Sequence, residues 1–434
     1  MKNDLEKKVM RKVTLRIIPF IMLLYFIAFL DRVNIGFAAL TMNQDLGFSP
    51  TVFGLGAGIF FLGYFLFEVP SNLILHKVGA RIWIARVMIT WGFVSGCMAF
   101  VQGTTSFYIL RFLLGVAEAG FFPGIILYLS YWFPAARRAQ VTAIFMAAAP
   151  LSTVLGSPVS AALLEMHGFL GYAGWQWMFV LEALPALVLG VVVLFFLTDR
   201  PAKAKWLTDQ ERAWLENAMQ DEERARAAKQ SHSSAWRGLA DIRVLALVYF
   251  GTSAGLYTLG IWSPQIIRSF GASSLEIGFL NAFPAVIGVI AMILWARHSD
   301  RTKERSWHVI GACLLAVAGL IYAGNVSTLF TVMVALTLVT VGISASKPPL
   351  WSMPTLFLSG PAAAAGIAAI NSIGNLGGFV GPMMIGVIRE QTGSYSWGLY
   401  FVAGLLALSA LVVMILSARA NKSPTAELPH PHTH

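Results

Sequence analysis

The chain has 434 residues, of which 57% are hydrophobic and 12% are charged, about half the charged share of an ordinary globular protein. A soluble core cannot bury that much apolar surface, so the composition excludes a soluble globular protein and indicates a chain that crosses a membrane repeatedly. The net charge of +10 would suit a nucleic-acid partner only if the basic residues were clustered on one surface.

Twelve long apolar segments follow one another along the chain, and each is long enough to cross a bilayer as a helix. We therefore expect an all-α membrane protein with twelve transmembrane helices, numbered below as spans 1 to 12. The segments cover residues 17–40, 52–75, 82–102, 106–129, 138–164, 176–198, 243–266, 274–296, 307–325, 328–352, 361–388 and 396–417.

The longest polar stretch separates spans 6 and 7 and divides the chain into two six-helix halves. We place the first half at 1–198, a cytoplasmic linker at 199–241, the second half at 242–418 and a cytoplasmic tail at 419–434. Within the linker, Thr208 and Glu211 have the spacing of a capping box. This pattern predicts a short amphipathic helix that includes residues 213–219 and lies on the membrane surface.

The basic residues lie mainly on one side of the predicted membrane. Of the 31 Lys and Arg residues, 26 fall before span 1, in or beside alternate connections, or in the tail. This asymmetry follows the positive-inside rule, which predicts that both termini are cytoplasmic. The net charge therefore indicates membrane topology and contact with lipid, and no nucleic-acid partner.

Asp31 and Arg32 lie side by side in the middle of span 1. An ionisable side chain at that depth is costly, so it usually faces a partner or a water-filled path. The pair indicates a functional site, and the alternative is a self-neutralised ion pair that only holds helices together.

A second acid and a second arginine share one face of span 4. Arg111 and Glu118 are seven residues apart, about two helical turns, and Gly115 between them is expected to keep that face open. Arginine stays protonated and suits an anionic substrate, whereas a buried carboxyl group can load and release a proton as an arginine comes and goes.

These four groups lead to one hypothesis. Asp31 and Glu118 carry protons, and Arg32 binds the carboxylate group of an anionic substrate. Arg111 alternates between Asp31 and other partners. Static neutralising pairs remain the alternative for both acids.

Span 10 contains a third cation within an apolar segment. Lys347 is followed by Pro348 and Pro349, which we expect to interrupt the helix and free backbone carbonyl groups. Lys347 could hold a second anionic group of the substrate or could satisfy those carbonyl groups.

The sequence offers no chemistry for an enzyme. It has no HExxH motif, no nucleophile elbow, no Cys/His cluster and no glycine-rich ATP-binding motif. Cys97 and Cys313 both lie in apolar segments and are interpreted as packing residues. We expect no enzymatic activity, no cofactor and no metal, and an ion gradient as the energy source.

Several motifs together resemble the major facilitator superfamily, and more narrowly its anion:cation symporter family of bacterial tartrate, 4-hydroxyphenylacetate and sugar-acid permeases. The motifs are Leu30-Asp-Arg-Val-Asn-Ile-Gly-Phe-Ala38, Phe67-Glu-Val-Pro-Ser-Asn-Leu73, Arg111-Phe-Leu-Leu-Gly-Val-Ala-Glu-Ala-Gly-Phe-Phe-Pro-Gly124, Gly174-Trp-Gln-Trp177 and Asn371-Ser-Ile-Gly-Asn-Leu-Gly-Gly378. One departure is His76, which stands where the superfamily usually has Asp.

The resemblance implies the major facilitator fold and a monomer in the bacterial inner membrane that imports a small carboxylate with protons by alternating access. It implies proton coupling at Asp31 and Glu118, and substrate contacts additional to Arg32, Arg111 and Lys347. These further residues are Tyr64, Trp351, Asn371 and Asn375.

For each of these four further residues, helix packing or interhelical hydrogen bonding is the alternative. Phe29 and Ala149 stand where sugar-acid relatives tend to carry polar side chains, which favours an aromatic or less hydroxylated acid. For the whole protein, the alternative is a proton-independent exchanger or exporter of the same fold.

Overall fold

The computed structural model describes residues 2–228, 235–353 and 360–422, which form helices joined by short connections with no β-strand among them. Most of the tail expected at 419–434 lies outside these ranges. The helices are α1 Lys2–Asp45, α2 Pro50–Val78, α3 Ala80–Cys97, α4 Thr104–Glu118, α5 Phe121–Trp132, α6 Ala135–Met146, α7 Ala148–Leu164, α8 Gly174–Phe196, α9 Asp209–Ala228, α10 Ala235–Arg268, α11 Ser274–Thr302, α12 Ser306–Ala323, α13 Leu329–Ser352, α14 Gly360–Asn375, α15 Gly377–Thr392 and α16 Ser396–Lys422.

Eleven helical segments in the described ranges are long and apolar enough to cross a membrane. The remaining predicted span, span 11, consists of two 16-residue helices, α14 and α15, which meet at Leu376. Together these segments account for the twelve predicted spans. Large apolar side chains such as Phe195 and Phe330 point outward and are largely exposed, as a lipid-facing surface requires.

Span 4 is interrupted between α4 and α5. Ala119 has an extended backbone and Gly120 is left-handed, with φ of 87°. The Ser71 hydroxyl of α2 donates to the freed Ala119 carbonyl at 2.6 Å. A Cβ atom at Gly120 would overlap Ser71, so glycine is required here both for the turn and for the close approach.

The expected interruption of span 10 is wrong, because α13 runs without a break through Pro348 and Pro349 to Ser352. Each proline still leaves one carbonyl group on the preceding turn without its helical donor. Serine hydroxyl groups donate to other carbonyls of this helix, Ser346 to Ile343 at 2.8 Å and Ser352 to Pro349 at 2.7 Å.

The linker helix α9 begins with the predicted capping box. The Thr208 amide donates to the Glu211 carboxylate at 3.0 Å, and the Glu211 amide donates to the Thr208 hydroxyl at 3.3 Å. The helix continues to Ala228 and is longer than expected. Lys12 of α1 bonds to Glu211 at 2.8 Å, so the start of the chain and the linker lie at the same end of the bundle, called the linker end below.

The ion pair between Lys12 and Glu211 also affects the pKa of Glu211. The Lys12 ammonium group and the Thr208 amide hold the pKa of the Glu211 carboxyl group below its ordinary value of 4.5.

Three helix pairs make most of the contact between the two halves in the described ranges: α1 with α10, α2 with α15, and α7 with α11. Glycines allow close approach in each pair: a Cβ atom at Gly36, Gly54 or Gly278 would overlap backbone atoms of the other half. All three glycines lie in the part of their helix that is farther from the linker end. The halves are therefore packed most tightly at the opposite end of the bundle.

Candidate functional site

Asp31 is buried in the first half, with 3% of its surface exposed. Its carboxylate accepts hydrogen bonds from Trp91 Nε1 at 2.6 Å and from the Ser95 hydroxyl, both on α3. Asn34 Nδ2, one turn further along α1, donates at 3.1 Å. Three donors surround the carboxylate, so Asp31 lies in a polar site between α1 and α3 and not among aliphatic side chains.

Arg32 and Glu118 form the central ion pair. Arg32 Nε donates to Glu118 Oε1 at 2.5 Å, and both residues are at least nine-tenths buried. The same guanidinium group donates from Nη1 to the Tyr257 hydroxyl of α10 at 3.3 Å. Arg32 therefore contacts an acid of its own half and a phenol of the other half.

Aromatic rings enclose this guanidinium group. Its Cζ atom lies 5.0 Å from the ring centre of Tyr64, 5.8 Å from that of Phe60 and 5.9 Å from that of Phe29. These are cation–π distances, and the rings also exclude water from the ion pair. The third nitrogen, Arg32 Nη2, is buried and has no hydrogen-bond partner in the described part of the chain.

Arg111 is buried on α4 but takes part in no ion pair among the described residues. Its guanidinium group donates to the Gly56 carbonyl at 3.2 Å and to the Ala57 carbonyl at 3.0 Å, both on α2. The structure therefore places Arg111 against backbone oxygens, not in a hydrogen bond with Asp31. The prediction that Gly115 keeps this face open is wrong, because the Phe60 carbonyl lies where its side chain would be.

The second half contributes a less connected set of predicted residues. Lys347 is half-buried on α13 and forms no ion pair or hydrogen bond within the described ranges. One turn later, the Trp351 ring packs edge-on against Tyr249, with ring centres 4.8 Å apart. Asn375 is buried at the end of α14.

Asn371 connects the two halves. Its Nδ2 atom donates to Glu68 Oε1 of α2 at 2.9 Å, and the Ser372 hydroxyl donates to Glu68 Oε2 at 2.5 Å. The carboxylate of Glu68 is buried and depends on these two donors from the other half. The predicted substrate residue Asn371 is thus engaged with an acid of the first half.

Sequence reasoning assigned no role to several residues that complete the site. Tyr257 has no distinguishing pattern, since a lone tyrosine in an apolar segment is usually a packing residue. Asn34 could have been found, because it lies three residues after Asp31 and so shares its helix face. Trp91 and Ser95 could not have been found in this way, since they are distant in sequence and reach Asp31 only in the folded first half.

Comparison with known proteins finds a matching family and similar transporters. The model of the family described as "Major Facilitator Superfamily" matches residues 21–382. A "Putative tartrate transporter" of Agrobacterium vitis is 74% identical over 432 residues, which cover 99% of this chain and 96% of the relative. A "Quinolone resistance transporter" of Acinetobacter baumannii is 40% identical, with 97% of this chain and 98% of the relative covered.

A solved structure has the same fold. The inward-facing and occupied structure of a bacterial homologue of the human lysosomal transporter Spinster matches with a TM-score of 0.77 at 16% identity. The match covers 95% of this chain and 98% of that one.

Proposed function

Since this chain belongs to the Major Facilitator Superfamily and is a multi-pass membrane transporter, not an enzyme, we propose that it imports a small organic carboxylate together with protons. Tartrate is the first substrate to test, because the Agrobacterium relative carries that substrate in its name and shares 74% of aligned residues. The membrane is the bacterial inner membrane, with the basic linker end in the cytoplasm by the positive-inside rule.

One observation carries the carboxylate proposal. Arg32 Nη2 is a buried guanidinium nitrogen without a hydrogen-bond partner among the described residues. Leaving a buried charged donor unpaired is costly, and a carboxylate is the acceptor whose planar geometry matches a guanidinium group. Lys347 offers a second cation without an ionic partner in the described chain, this time from the other half, which suits a substrate with two carboxylates.

The ion pair suggests how substrate and proton are coupled. Glu118 already holds Arg32, so an arriving carboxylate competes with Glu118 for the guanidinium group. A buried carboxylate that loses its counter-ion binds a proton more readily. Substrate binding at Arg32 therefore favours protonation of Glu118, and the substrate enters with a compensating positive charge. Asp31 is proposed as the second proton-carrying acid.

A second candidate function is export or proton-independent exchange. It is favoured by the Acinetobacter relative, whose name refers to quinolone resistance. The fold would be the same, and the difference would lie in the direction of net transport and in the role of the pH gradient.

Uptake by purified protein in liposomes distinguishes these functions. We expect labelled tartrate to accumulate when the outside is more acidic than the inside, and a protonophore to abolish the accumulation. Net uptake that ignores the pH gradient would instead support the exchanger. No uptake of tartrate, 4-hydroxyphenylacetate or galactonate under any gradient would contradict carboxylate transport. A clear preference for galactonate would contradict the inference drawn from Phe29 and Ala149.

A further inference from the structure

Glu182 is a buried acid to which the proposed transport cycle gives no role. It lies on α8 with 3% of its surface exposed. Its carboxyl group accepts hydrogen bonds from the Ser160 hydroxyl at 2.6 Å and from Asn34 Nδ2 at 3.0 Å. It belongs to none of the ion pairs found among the described residues, so no cation compensates a charge on it. A buried carboxylate without a cation is costly.

Asn34 connects Glu182 to Asp31. The same Nδ2 atom donates to Asp31 Oδ1 at 3.1 Å and to Glu182 Oε2 at 3.0 Å. Because both oxygens lie within hydrogen-bond distance of one nitrogen, they are at most about 6 Å apart. Two negative charges at that separation, shielded from water, repel each other strongly. A single proton held by either acid removes the repulsion.

The hydrogen bonds indicate which acid holds the proton. Asp31 receives three donors, from Trp91, Ser95 and Asn34, which together stabilise a carboxylate. Glu182 receives two, and one of them is the Ser160 hydroxyl, which can accept a hydrogen bond as readily as it donates one. The anion therefore belongs on Asp31 and the proton on Glu182.

The charged groups around the pair are few. The elements packed on α8 include α1, α3, α7 and the short turn Met98–Phe100, which has no ionisable side chain. Within the described ranges, α1 contributes Asp31 as the ionisable group that acts on Glu182, while α7 contributes the uncharged Ser160. From α3, Asp31 receives the uncharged Trp91 and Ser95. Burial and the nearby charge of Asp31 therefore act together on Glu182, and Arg111 of α4 is the cation that acts on Asp31.

Glu182 lies farther from the linker end than Asp31 does. Asn34 is three residues beyond Asp31 on α1, which runs away from that end. Glu182 is in the first half of α8, which returns towards the linker end, and Ser160 is near the far end of α7. The side of the bundle opposite the linker is the side from which an imported proton would enter.

We propose that Glu182 is a third proton-binding group, which holds a proton on the entry side and passes it to Asp31. The step is balanced: the Glu182 carboxylic acid becomes a carboxylate as the Asp31 carboxylate becomes a carboxylic acid. This inference rests on the proposed proton-coupled import. Glu182 acts through Asp31 and has no contact with the substrate.

Transport by Glu182→Gln in liposomes tests the transfer. The amide keeps the size and hydrogen bonds of the side chain but cannot release a proton. We expect proton-driven uptake to fall about tenfold or more while tartrate exchange without a pH gradient is retained. The uptake–pH profile should become that of a single titrating acid, because the amide no longer exchanges a proton with Asp31. Glu182→Asp, which keeps a titrating group, should restore part of the proton-driven uptake.

The matched control is Glu165→Gln, which removes an exposed carboxylate near the end of neighbouring α7 and should leave uptake, exchange and pH profile unchanged. Infrared spectroscopy gives a readout independent of transport: the C=O band of a protonated carboxyl group should disappear in Glu182→Gln and persist in the control.

The outcomes separate the two proposals. Wild-type protein that shows no proton-driven uptake contradicts the proposed function and the transfer step, and the infrared band then decides alone whether Glu182 holds a proton. Wild-type protein that couples, with Glu182→Gln equal to it in uptake, pH profile and infrared band, contradicts only the present inference.

Discussion

Replacing Arg32 by lysine tests the substrate site most directly. The variant keeps the positive charge that Glu118 needs, so the buried ion pair survives in some form. It removes the planar group whose Nε bonds Glu118, whose Nη1 bonds Tyr257 and whose Nη2 has no partner in the described ranges. A single ammonium group cannot serve all three directions.

The structure sets the size of the effect. In the proposed site, Arg32 Nη2 donates a hydrogen bond to the substrate carboxylate while Nε bonds Glu118. A lysine at this position that bonds Glu118 cannot also make that hydrogen bond. A hydrogen bond to a charged group contributes about 1.5–3 kcal/mol, so tartrate affinity should fall by about 10- to 100-fold. Because the variant also loses the bond to Tyr257, its melting temperature without tartrate is measured beside the affinity, to separate a loss of binding from a loss of folding.

Titration calorimetry of tartrate binding to purified protein measures this difference. Arg16→Lys is the matched control, because Arg16 is exposed at the linker end, where it stacks on Phe196 and Trp206. Its Kd should equal that of the wild type. An unchanged Kd for Arg32→Lys would refute the assignment of the unpaired nitrogen to the carboxylate.

Three other predictions follow from different parts of the molecule. Asp31→Asn should abolish uptake driven by a pH gradient in liposomes and leave tartrate counterflow, and undiminished accumulation would exclude Asp31 as a proton carrier. Gly115→Ala should lower stability by about 1–3 kcal/mol, because its methyl group overlaps the backbone of α2; Gly404→Ala, which meets open space, should leave the melting temperature unchanged, and equal values for both would contradict the close packing. The lowered pKa of Glu211 means that its ion pair with Lys12 stabilises the linker contact above pH 4.5 and is lost as the pH falls through the lowered value. Hydrogen exchange in α9 should therefore be slower in the wild type than in Lys12→Ala at pH 7, with the difference vanishing in acid, and a difference that persists in acid would contradict this account.

Local sequence patterns predicted the class and the span count because each span must bury its own backbone in lipid. They did not predict where spans break. The turn at Gly120 depends on Ser71 of α2, which approaches only after folding. The tandem prolines led to a wrong prediction of a break in span 10, since α13 continues through them.

For the site, sequence identified the charged residues and missed how they pair. Arg32 and Glu118 were correctly expected in one region, and the structure joins them directly. Arg111 was expected to alternate between Asp31 and other partners, and the structure shows it donating to carbonyls of α2. Pairing depends on the rotation of each helix about its axis, which is set by close contacts such as the one at Gly115. Those contacts involve residues distant in sequence, so no local pattern encodes them.

The bond from Arg32 to Tyr257 gives one side chain a mechanical as well as a chemical role. Its Nε bonds an acid of the first half, its Nη1 bonds a phenol of the second half, and its Nη2 has no hydrogen-bond partner among the described residues. In the proposed alternating access, rotation of one half against the other would stretch or release a bond of the group that is proposed to hold the substrate. The proposal thus links substrate binding and the contact between the halves at a single guanidinium group, and turnover without substrate would require the bond to Tyr257 to break.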